Sequence, residues 1–139
     1  NVVSNAKRQS KHEKWRNRIL WVDDRPENNV YERQAFEAQG IEFALALSTD
    51  EALELLKTNK FAAIISDMDR KEGAQEGYVL LERLRAMGDK TPFMIYASSD
   101  LPEHKRMARE KGAIGSTNRA EELIKINLLF IASPTPTQS

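Results

Sequence analysis

Four consecutive apolar residues, Ile19, Leu20, Trp21 and Val22, end abruptly on two acids, Asp23 and Asp24. A strand with one wet face alternates apolar and polar residues. An unbroken apolar run reads instead as a strand covered on both faces. That constrains the fold, because burial on both faces is the habit of parallel sheets sandwiched between helices. The pattern recurs at residues 41–47, 61–66, 92–97 and 113–116, which read as further strands.

Helical patterns separate these runs. Pro26 suits a first helical turn, and residues 27–39 read as a helix stopped by Gly40. Ser48 and Glu51 have the spacing of a capping box, opening a helix with Ala52, Leu53, Leu55 and Leu56 on one broad face. Residues 77–87, 103–111 and 119–132 read as three more helices. Strand-then-helix units in alternation predict a doubly wound α/β fold around a five-stranded parallel sheet, with right-handed crossovers. The expected organisation is a basic arm or linker over residues 1–17, one domain over 18–132 and a disordered Ser/Thr/Pro tail over 133–139.

The acids fall where strands end. Asp23 and Asp24 close the first run, and Asp67 closes the run Ala63, Ile64, Ile65, Ser66. In an open parallel sheet, ligands bind outside the carboxyl ends of the strands, where strand order reverses. Three carboxylates converging there repel one another and call for a divalent cation. Hard oxygen ligands suit Mg²⁺, which keeps waters and takes phosphate oxygens. A carboxylate beside such an ion can act as a nucleophile and form an acyl phosphate.

Composition removes other chemistries. There is no cysteine, so disulfide and thiolate mechanisms are absent. No apolar run approaches the ~20 residues of a membrane helix, and no signal-peptide pattern opens the chain. A cytoplasmic location is expected. The 21 basic and 21 acidic residues balance, but residues 1–18 carry six basic side chains against one acidic. That arm reads as a solvated linker rather than a nucleic-acid contact. His12 and His104 read as solvated residues, too isolated to hold a metal.

Val22-Asp23-Asp24, Ser66-Asp67 and Gly112-Ala113 before a short fifth strand together resemble the receiver domain of bacterial response regulators. The resemblance covers about residues 18–132. It implies a flavodoxin-like (βα)₅ fold with strand order 2-1-3-4-5. It also implies that a histidine kinase or phosphotransfer protein donates a phosphoryl group to Asp67 in a phosphorelay. Asp23 and Asp24 would help hold Mg²⁺, and Asp69 would add a main-chain carbonyl. The domain would not be an enzyme beyond slow self-dephosphorylation. The face of the fourth helix, fifth strand and fifth helix, rich in apolar residues from Leu123 to Ile131, would serve a homodimer or partner.

The reading side of the site departs from that family. Ala97 stands where the family has Thr or Ser, with Ser98 and Ser99 following as substitute hydroxyls. Arg119 replaces the lysine after strand five as phosphate cation, Ala120 the adjacent Pro, and Ser116 the aromatic switch residue. The loop after Asp67 is about two residues longer, with Lys71 where Pro is common. Two alternatives follow. One is an atypical receiver acting as a phosphorylation-independent interaction module. The other, from Asp67-Met68-Asp69, is a small phosphatase of the haloacid-dehalogenase type.

Overall fold

The computed structural model describes residues 14–71 and 73–132. The expectations for the arm up to Glu13, His12 included, and for the 133–139 tail lie outside the described residues. Five strands form one parallel sheet in the order β2-β1-β3-β4-β5, as expected. They are β1 (Arg18–Val22), β2 (Glu42–Ala46), β3 (Ala63–Ser66), β4 (Phe93–Tyr96) and β5 (Gly115–Thr117). The helices are α1 (Val30–Glu37), α2 (Thr49–Thr58), α3 (Glu76–Ala86), α4 (Pro102–Glu110) and α5 (Ala120–Ala132).

The apolar run that suggested two-sided burial has it: Ile19, Leu20, Trp21 and Val22 are each at most 1% exposed. Their alternation splits the core into two layers. Leu20, Val22, Ile64, Phe93 and Ile95 face Ala52, Leu80, Leu81, Leu84 and Ala108, beneath α2, α3 and α4. Ile19, Trp21, Ile65 and Met94 face Phe36 and Leu123, beneath α1 and α5. Trp21 meets Phe36 and Tyr96 edge-on, with ring centroids 6.5 and 6.1 Å apart. Burying each such large side chain contributes about 1.5–3 kcal/mol before the ordering entropy is subtracted.

Local signals set most boundaries. Ser48 Oγ accepts from Glu51 N at 3.1 Å and caps α2 as expected, whereas Glu51 Oε1 accepts from Leu47 N at 2.8 Å, one residue before the donor of a standard box. Gly40 and Gly112 end α1 and α4 at φ +86° and +109°, where a side chain would be strained. Several boundaries move: α1 ends at Glu37 rather than residue 39, and β3 starts at Ala63 rather than residue 61. Residues 26–29 form a 3₁₀ turn before α1 begins at Val30. The fifth strand starts at Gly115 rather than residue 113, because Ala113 N still bonds Ala108 O at the close of α4. On α5, Leu123 is buried while Leu129 and Phe130 are 58% and 48% exposed, so the apolar run is only partly absorbed by the core.

Candidate functional site

Ladder hydrogen bonds carry the acids to the sheet edge. Asp23 N donates to Ala46 O at 2.9 Å, continuing the β1–β2 pairing. Asp67 N donates to Val22 O at 3.0 Å, continuing the β1–β3 pairing. The strand order places β1 and β3 side by side. One carboxylate oxygen each from Asp23, Asp24 and Asp67 therefore lie within 4.8 Å of one another.

Each acid is held. Asp23 accepts from Arg25 N at 2.7 Å and from Asn29 Nδ2 at 2.8 Å. Asp24 accepts from Lys71 N at 2.8 Å, which ties the first acidic loop to the loop after β3. The Asp69 side chain accepts from Gln75 N at 2.9 Å and is turned into its own loop. Gly77 is required for this packing. A Cβ there would lie 2.5 Å from the Asp67 carbonyl oxygen, so a side chain would force α3 off the end of β3.

Asp67 is the electrostatically unusual member. Its carboxyl is pushed from 3.8 up to about 7, first by burial and further by the negative charges of Asp23 and Asp24, against the opposing pull of Arg70. Arg70 is the residue that sequence reasoning overlooked. Its side chain is 0% exposed. Nη1 donates to Asp67 Oδ1 at 2.5 Å and to Ser66 Oγ at 3.1 Å. Nη2 donates to Thr49 Oγ1 at 2.6 Å and reaches Glu76 O at 3.4 Å. Thr49 Oγ1 in turn donates to Glu76 Oε1 at 2.9 Å. The only sequence signal was a long loop after Asp67, and length alone does not say which side chain turns inward.

Two open cavities, each of about 460 Å³, flank Asp67. One is lined by Asp23, Asp24, Asp67, Asp69 and Arg70, with exposed Arg25 and Lys71 at its rim. The other runs over Asp67 and Asp69 to Ala97, Ser98, Ser99, His104 and Ser116. Ser98 is thus brought to the acceptor's cavity. Exposed His104 also borders it, with Nδ1 2.6 Å from Ser99 Oγ. Arg119 lines neither cavity. Its side chain is 64% exposed and its Nη2 lies 3.8 Å from Glu121 Oε1. The Ser116 carbonyl accepts from Lys105 Nζ at 2.8 Å, bracing β5 against α4.

Residues 19–123 match the family model of the response regulator receiver domain. The chain belongs to the response regulator receiver family. As a receiver, it is a signalling domain of two-component systems, and the reading as a phosphorylation-independent module is not favoured. The receiver domain of a Francisella response regulator is 26% identical, with a TM-score of 0.74 over 83% of this chain and 96% of that one. A putative response regulator from Chloroflexus aurantiacus is 23% identical, with a TM-score of 0.72 over 84% and 98%. A Vibrio cholerae chemotaxis response regulator is 23% identical, with a TM-score of 0.68 over 82% and 97%. These last two likenesses concern the fold. No curated protein sequence matches the chain.

Proposed function

We propose that Asp67 of this receiver accepts a phosphoryl group from the phosphohistidine of a kinase or phosphotransfer protein. The observation that carries the reading is the meeting of Asp23, Asp24 and a half-buried Asp67 at the ends of two adjacent strands. An Asp67 oxygen would bond to phosphorus while the donor's N–P bond breaks, and the departing imidazole takes a proton.

The acids suit Mg²⁺. Three carboxylate oxygens within 4.8 Å of one another give the hard oxygen donors that this ion prefers, and their mutual repulsion would be relieved by it. Asp23, Asp24, Asp67 and the Asp69 carbonyl would hold the ion, whose chemistry is to neutralise charge on the transferring group. Asp67 supplies the nucleophilic oxygen. Asp24, bonded to Lys71 N, keeps the loop after β3 closed over the acids. Ser98 offers a hydroxyl in the place of the one Ala97 lacks. Arg119 could join only by leaving Glu121.

We also propose that residues 18–132 form the signalling unit, that it works in the cytoplasm without enzymatic turnover beyond slow self-dephosphorylation, and that it forms a homodimer through α4, β5 and α5. No helix among the described residues is long and apolar enough to cross a membrane. Met107 on α4 and Phe130 on α5 are 43% and 48% exposed, which supports a contact surface there.

Incubation with acetyl phosphate and Mg²⁺ tests the acceptor reading. A phosphoryl mass increment is expected in the native chain and not in Asp67→Asn. Equal labelling of the two would sink the assignment of Asp67.

A further inference from the structure

The site needs a positive charge besides any metal. Phosphoryl transfer replaces the single charge of Asp67 with a group carrying nearly two, beside Asp23 and Asp24. In the family a lysine after strand five meets that need, and Arg119 at this position is paired with Glu121 at the surface. A different cation is already against the acceptor.

We propose, resting on Asp67 as acceptor, that Arg70 is the fixed cation of the phosphoryl site. It would orient the Asp67 carboxylate before transfer and hydrogen-bond the phosphoryl oxygens afterwards. Three observations carry this. First, its Nη1 donates to the reacting carboxylate at Oδ1. Second, the guanidinium is wholly buried, and removing it from water is costly unless its donors are met. They are met by Ser66, Thr49 and the Glu76 carbonyl, a cradle drawn from β3, α2 and α3. Third, the lengthened loop is shaped to turn it inward. Arg70 and Gly73 exchange two backbone hydrogen bonds of 3.0 Å, which fixes the Arg70 backbone at the point where its side chain enters the cradle. Arginine suits the task because its planar donors grip a carboxylate and a phosphoryl group alike.

The step needs no further reactant. The Asp67 O–P bond forms and the donor N–P bond breaks with its electron pair on the imidazole, while Arg70 takes part only through its hydrogen bonds. A second consequence separates this role from a merely structural one. Arg70 places a positive charge beside the acidic trio, so removing it favours Mg²⁺ while harming phosphoryl uptake.

The test compares the native chain with Arg70→Met and Arg70→Lys, using acetyl phosphate labelling followed by mass, Mg²⁺ affinity by calorimetry, and thermal melting as a check of folding. Arg70→Met is expected to label at least about tenfold more slowly, with Mg²⁺ bound at least as tightly as in the native chain. Arg70→Lys is expected to fall between the two. If Arg70→Met does not fold, Arg70→Lys decides by the same split. Labelling of the folded variant at the native rate would overturn the proposal. So would a parallel fall in labelling and Mg²⁺ affinity, which would mark a structural tie. A native chain that takes no label would overturn the acceptor reading itself, and this proposal with it.

Discussion

The ends of β1 and β3 differ from the ends of β4 and β5. At the first, every acid is fixed by a ladder bond, a backbone amide or a buried guanidinium. At the second, Ala97 brings no hydroxyl, Ser116 brings no ring, and the Arg119 side chain is at the surface. The contrast separates two tasks that share one fold. Holding a cation and a nucleophile needs only short-range geometry at two strand ends. Relaying the state of that nucleophile needs groups that move, and here the strand-five side is braced by Lys105 on the Ser116 carbonyl. Arg70 shifts the balance further, because it links the acceptor to Thr49 on α2 and Glu76 on α3, away from β4 and β5.

The comparison can be broken at several points. The largest effect is expected from Asp24→Ala, which should weaken Mg²⁺ binding at least about 100-fold by calorimetry, since even outer-shell losses commonly cost 10–100-fold. A loss below threefold would remove Asp24 from the metal-binding side. Next, Gly77→Ala should destabilise the domain by about 1–3 kcal/mol in urea unfolding and weaken Mg²⁺ binding as well. The added Cβ meets the Asp67 carbonyl oxygen at 2.5 Å, so the clash falls directly on the acceptor.

Proton linkage sharpens the acidic side. The folded Asp67 carboxyl sits at about 7 against 3.8 ordinarily. Its ion-free contribution to stability is therefore full below 3.8 and is lost as pH rises through about 7, at up to about 1.4 kcal/mol per pH unit. Without Mg²⁺, melting should occur at lower temperature at pH 8 than at pH 5 as far as this group is concerned. Mg²⁺ must displace that proton, so its affinity should fall by up to about tenfold per unit below pH 7. An affinity flat from pH 5 to 8 would mean that Asp67 is not a ligand. The smallest effect is expected on the reading side. Ala97→Thr should tighten beryllofluoride binding by a few-fold, the worth of one added hydrogen bond of about 1 kcal/mol. If Ser98→Ala leaves that binding unchanged, Ser98 is not the substitute hydroxyl.

Much of the fold was legible because burial on both faces leaves a plain mark. The run Ile19 to Val22, the Ser48 cap and the helix stops at Gly40 and Gly112 each did what the sequence predicts. The convergence of Asp23, Asp24 and Asp67 was legible through strand order. Arg70 was not. It lies in an irregular loop with no period to read, and its neighbours Thr49 and Glu76 are 21 and 6 residues away along the chain. Arg119 shows the converse limit: the family resemblance gave its position, whereas its side chain lies at the surface, 3.8 Å from Glu121 Oε1.

The central claim is that Asp67 is the nucleophile of an acidic, metal-assisted site. Site mapping tests it most directly. The chain is phosphorylated with acetyl phosphate in the presence of Mg²⁺ or of a chelator, the acyl phosphate is trapped by borohydride reduction, and the reduced residue is located by peptide mass. The account predicts reduction at Asp67, and only with Mg²⁺. Reduction at Asp23, Asp24 or Asp69, or equal labelling in the chelator, would contradict it.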